Sequence, residues 1–132
     1  MKKIYLLTRA IFHMANITLI ILYVYPGSIL GWLTYGDFQK QPQITTDLSF
    51  FSTNHVYAFL IISFLGLYSY YEKNIKNLFI YLFFISIFLE LCHGIIPQRS
   101  FEYKDLFGNV LGVLIVFLAF NCYRFFKKKI YD

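Results

Sequence analysis

Six polar residues stand out in a chain dominated by apolar side chains: His55, Glu90, His93, Arg99, Asp105 and Asn109. Glu90 and His93 are three apart, so they share one face of a helix. Asp105, Asn109 and Gly112 recur at i, i+4 and i+7, one stripe of a second helix. A carboxylate beside an imidazole could move a proton. The planar fork of Arg99 could hold a carboxylate by two bonds, and Arg99 is the expected partner of Glu90 or Asp105. Each residue also has a plainer role. Asp105 could be the N-cap of the last helix. Asn109 could join helices, Gly108-x-x-x-Gly112 reads as a close-packing face, and Glu90 with Arg99 could be a structural latch. His55, Glu90, His93 and Asp105 are all legitimate zinc ligands, but only Glu90-x-x-His93 has fixed spacing, so neither a metal nor another cofactor is expected. No base is placed beside Ser100. Cys92 and Cys122 sit in apolar runs and read as buried thiols, while His13, Asn16 and Asn121 read as packing residues.

The elements that must position these groups are apolar runs long enough to cross a bilayer. Hydrophobic residues make up 58% of the 132, and charged residues only 14%, well below the roughly 25% of a soluble domain. A soluble fold of this size could not hide so much apolar surface. Helical spans are expected near 4–26, 55–71, 75–93 and 106–126, because a helix closes its own backbone hydrogen bonds in lipid. The expected fold is all-α: one membrane domain over 1–132, a bundle of four transmembrane helices. Pro26-Gly27 should end the first helix. Residues 28–36, with Trp32 and Tyr35, read as an interfacial segment. The polar stretch from Asp37 to Asn54 is the longest loop, and the connection around Glu72-Lys73-Asn74 allows only a hairpin turn. Arg9 should snorkel to the interface. The first run reads as a retained helix rather than a cleaved leader.

Basic residues set the expected orientation. Nine of the twelve Lys and Arg lie at the N-terminus, the second connection and the C-terminus: Lys2, Lys3, Arg9, Lys73, Lys76, Arg124, Lys127, Lys128 and Lys129. Lys40, Arg99 and Lys104 belong to the other side. The richer side should be cytoplasmic. Both termini are then inside, and the polar cluster meets at one outward-facing mouth. The net charge of +5 reads as topogenic charge beside anionic lipid, and no nucleic-acid partner is expected.

The stretch from Glu90 to Gly112 resembles the signature of VanZ-like membrane proteins. In that family a Glu, then Gln or His, ends one membrane helix, a Pro-x-Arg turn follows, and Asp-x-x-x-Asn-x-x-Gly opens the last helix. Glu90, His93, Pro97, Arg99, Asp105, Asn109 and Gly112 match in order and spacing. An earlier family motif, Asp-Lys-x-x-His and an aromatic, is met by His55 and Phe59, whereas its Asp-Lys positions read Ser52-Thr53, or Phe51-Ser52 with a one-residue slip. The resemblance implies an envelope protein of the bacterial cytoplasmic membrane and an association with low-level resistance to the glycopeptide teicoplanin; it supplies no reaction. Three functions follow as expectations. An outward pocket of the six polar residues would bind a lipid-linked precursor, a lipid headgroup or a glycopeptide. Alternatively, His93 or His55 would act as general base in a membrane enzyme, or the cluster would only lock a module of an envelope complex.

Overall fold

The computed structural model describes residues 2–71 and 74–131, with side chains from 5 to 71 and from 74 to 130. Glu72, Lys73 and the side chains of Lys2 and Lys3 lie outside the described residues. Five helices follow in order: α1 (Lys2–Val24), α2 (Ile29–Tyr35), α3 (Thr53–Tyr70), α4 (Ile75–His93) and α5 (Tyr103–Tyr131). Among the described residues there is no strand.

Three helices, α1, α4 and α5, are long and apolar enough to cross a membrane. Less than half of each span is buried within the protein. Large apolar side chains such as Leu6, Met14, Phe84 and Leu118 face outward, as lipid-facing residues do. The expected count of four is not reached. The 18-residue α3 opens with Thr53-Asn54-His55, and these polar residues dilute its apolar content.

The core runs down the axis of the bundle through Phe12, Phe59, Ile62, Leu82, Leu89 and Val113. The most extensive packing joins α3 to α5, and two glycines set how close they come. A Cβ on Gly108 would stand 2.6 Å from the Ser52 carbonyl oxygen and 2.9 Å from the His55 Cβ. One on Gly112 would stand 2.6 Å from the Val56 carbonyl oxygen. The small-residue stripe lets backbone lie on backbone, as its spacing suggested.

The expected interfacial segment, residues 28–36, contains the short helix α2. Ser28 caps α2 by accepting the Gly31 N–H at 2.9 Å, and Gly36 ends it in the left-handed region at φ +67°. Trp32 stacks on Phe38, and Trp32 and Tyr35 stay exposed. The long loop is tied to the first turn of α3. Asp47 accepts the Thr53 N–H at 3.0 Å. Asn54 accepts the Ile44 N–H and donates to the Pro42 carbonyl.

Helix α5 begins before the expected 106 and runs past 126. Lys127-Lys128-Lys129 continue it, because lysine is a good helix former and no Gly or Pro intervenes. Asp105 is therefore not the cap: it sits in the first turn, with its own N–H bonded to the Glu102 carbonyl. The isolated polar residues of the spans find partners. His13 Nε2 lies 3.0 Å from the Tyr70 hydroxyl, and Asn16 donates to Tyr81. Arg9 has protein partners as well: its Nε donates to the Ser69 carbonyl at 3.4 Å, near the end of α3, and the guanidinium lies over the Tyr70 ring.

Candidate functional site

The six residues singled out by type converge at one end of the bundle, and Tyr23 of α1 joins them. Glu90 and Asn109 are fully buried, and His93 nearly so. Asn109 is the hub. Its Nδ2 donates to the Ser86 carbonyl at 3.1 Å, which turns Oδ1 toward α1 and α3. There Oδ1 accepts the Tyr23 hydroxyl at 2.7 Å and lies 2.9 Å from His55 Nδ1. The Tyr23 hydroxyl, also 3.0 Å from His55 Nδ1, gives its proton to Oδ1, and Oδ1 can only accept, so His55 Nδ1 carries a proton in this arrangement. The other ring nitrogen, Nε2, faces Asp105 Oδ2 at 3.4 Å. The Ser52 side chain lies beside the same carboxylate.

The second acid–imidazole pair lies deeper. His93 Nε2 is 3.0 Å from the Tyr23 carbonyl, an acceptor, so this nitrogen is also the donor. His93 Nδ1 lies 3.2 Å from Glu90 Oε2, close enough for an ion pair but without hydrogen-bond geometry, so Oε2 has no hydrogen-bond partner. Glu90 Oε1 accepts the Glu102 N–H at 3.1 Å and ties the end of α4 to the start of α5. The Tyr23 ring stacks on His93 and meets His55 edge-on. All four imidazole nitrogens thus face partners inside the protein.

Arg99 departs from expectation. It pairs with neither Glu90 nor Asp105. Its Nη2 donates to the Leu22 carbonyl at 3.0 Å, and its Nε reaches the Tyr25 carbonyl at 3.4 Å. The last carbonyls of a helix lack intrahelical donors and carry partial negative charge. They compete successfully for the guanidinium because Glu90 is already held by His93 and the Glu102 amide. Partial burial lowers the Arg99 pKa from its ordinary value, opposed by Tyr23, Glu90 and Asp105. The side chain remains a cation at any physiological pH. Pro97 is exposed in the turn that brings Arg99 back over α1.

Beside this network lies a cavity of about 310 Å³ between α1, α3 and the 41–44 loop. Leu19, Leu22, Ala58 and Ile61 form its apolar wall, and Gln41, Gln43, Asn54 and Arg99 its polar wall. His55 and His93 border it, while Glu90, Asp105 and Asn109 stand behind them. Sequence reasoning missed Tyr23, which the eye takes for one more belt aromatic. It also missed Asp47 and Asn54, whose roles depend on a loop fold that no periodicity reveals.

A family model described as VanZ/LLP1 matches residues 9–126. No curated protein and no solved structure matches the chain.

Proposed function

The chain belongs to the VanZ/LLP1 family, and from that premise we propose that it is a multi-pass protein of the bacterial cytoplasmic membrane that binds an amphipathic, lipid-tailed anion of the cell envelope. The observation that carries this reading is the two-sided cavity. Its apolar wall of Leu19, Leu22, Ala58 and Ile61 suits an alkyl or polyprenyl chain. Its polar wall holds Arg99, a cation with no carboxylate in direct contact among the described residues. Two of the five guanidinium donors go to the Leu22 carbonyl in the last turn of α1 and the Tyr25 carbonyl just past it, which fixes the fork beside the cavity and leaves donors for a phosphate or carboxylate. A lipid-linked envelope precursor and the acyl-bearing glycopeptide teicoplanin both have this chemistry, and the expected phenotype is altered glycopeptide susceptibility.

The expected experiment combines two variants. Arg99→Ala removes the anion partner, and Ala58→Phe fills the cavity without touching the polar network. Both should insert into the membrane at wild-type level and lose co-purification of polyprenyl phosphate, together with any effect on teicoplanin susceptibility. Wild-type lipid binding and susceptibility in both variants would reject the proposal. Arg99→Lys should recover only part of the binding, because a point charge cannot reproduce the fork.

In the proposed topology α3 is a fourth crossing. Asn74, just before α4, is in the left-handed region, and α3 lies against α5 through Gly108 and Gly112. Four crossings put both termini in the cytoplasm, as the basic residues require. A fluorescent protein fused after Asp132 should glow, and alkaline phosphatase inserted at Gln43 should be active. The opposite pattern overturns the orientation.

A second reading, a locking element within an envelope complex, draws support from the closed hydrogen-bond network around Asn109. An enzyme is less favoured: a general base needs a free ring nitrogen, and His55 and His93 would each have to break a contact to provide one.

A further inference from the structure

His55, Glu90 and Asp105 each offer a ligand atom, and the three atoms lie within 4.8 Å of one another. We propose that this triad is a binding site for a divalent transition metal of the zinc class, with His93 and Asn109 as its supporting shell. The inference is independent of the cavity and its occupant.

Two separate observations point to a cation. The first is the His55–Asp105 contact. Asn109 Oδ1 holds His55 in the tautomer with the proton on Nδ1, so the lone pair of a neutral ring sits on Nε2, facing Asp105 Oδ2. A ligating histidine has this same form, with its far N–H given to an oxygen that fixes the ring. The 3.4 Å separation is long for a charge-assisted hydrogen bond, which is about 2.7–2.9 Å. It matches the edge of a tetrahedron around zinc, about 3.4 Å for bonds near 2.1 Å.

The second observation is Glu90. It is fully buried, and its Oε2 makes no hydrogen bond. A buried carboxylate with an unsatisfied oxygen beside a second carboxylate is expensive. A divalent cation among Glu90, Asp105 and His55 removes that cost. One nitrogen and two carboxylate oxygens suit zinc or manganese better than a soft metal. The set closes on such an ion by side-chain shifts on the order of 1 Å. Three protein ligands leave a coordination position for water or a ligand oxygen.

The test uses the full chain without a histidine tag, purified in detergent and stripped with a chelator. Zinc titration followed by calorimetry and elemental analysis should give one ion per chain. His55→Ala and Asp105→Asn should weaken binding at least a hundredfold. His93→Gln, which acts through Glu90, should weaken it by about 10- to 100-fold. His13→Ala, a histidine bonded to Tyr70 elsewhere in the bundle, should bind as wild type. Cobalt substitution should give the intense visible absorption of a low-coordinate site. Should the variants fold poorly, the wild-type arm stands alone: chelation should lower its thermal midpoint, and zinc, but not magnesium, should restore it. No stoichiometric binding to folded wild-type protein, or binding indifferent to His55→Ala and Asp105→Asn, overturns the proposal.

Discussion

Gly112→Val is expected to remove most folded protein from the membrane. The added Cβ would meet the Val56 carbonyl oxygen at 2.6 Å, the Leu60 nitrogen at 2.8 Å and the Phe59 Cβ at 2.8 Å. None of these atoms is the far end of a flexible side chain, so relief requires moving α3 away from α5. Overpacking of this kind costs about 1–3 kcal/mol in a packed interior. Here the shift would also pull His55 away from Asp105 and Asn109, so the cost should reach the upper end. Gly112→Ala should give a smaller loss of the same sign. Gly94→Ala is the control: its Cβ would meet only the Leu91 carbonyl oxygen, at 3.4 Å. The measurement is thermal unfolding in detergent together with membrane abundance. A Gly112→Val midpoint within a degree of Gly94→Ala would refute the close-packing account.

Asn109→Leu should be comparably damaging for a different reason. The substitution keeps roughly the volume but strips the hub. The Tyr23 hydroxyl and His55 Nδ1 lose their shared acceptor and keep only each other, 3.0 Å apart, and the Ser86 carbonyl loses its side-chain donor, a loss of about 1–3 kcal/mol. Non-additivity makes the prediction sharp. Tyr23→Phe alone should destabilise, because it breaks the 2.7 Å bond to Asn109. In the Asn109→Leu background its cost should differ, because the hydroxyl then has only His55 Nδ1, 3.0 Å away, as a partner. Equal losses from Tyr23→Phe in both backgrounds would show that the two side chains are not coupled.

These variants also mark how much could be read in advance. The i, i+4, i+7 stripe of Asp105, Asn109 and Gly112 placed three residues on one face, and the bundle does turn that face inward. The hairpin after Glu90 brought the acid-bearing ends of α4 and α5 together, as the turn chemistry required. Pairing was another matter. Charge complementarity favours Arg99 with a carboxylate, yet the free carbonyls ending α1 are acceptors that no charge count includes. The cap role considered for Asp105 fails because the helix starts at Tyr103, three residues before its apolar run. His55, singled out in the polar opening of α3, does meet Asp105 and Asn109, while Thr53, Asn54 and His55 together hold the hydropathy of α3 below that of its neighbours. Tyr23 carried no signal of its own: among twelve tyrosines, only the fold shows which one meets a buried asparagine.

The length of α5 has a mechanical consequence. Its 29 residues form a rod of about 43 Å at 1.5 Å per residue, whereas the hydrocarbon slab is about 30 Å thick. The excess lies at the C-terminal end, where Arg124 and Lys127 cover the rings of Phe120 and Tyr123 and two more lysines follow. Such a stalk has little reason to lean over and hide its surplus length. In the proposed topology its cationic tip stands among the headgroups and tethers the bundle against vertical slippage, so the polar cluster at the opposite end is held at a set height above the anchored face.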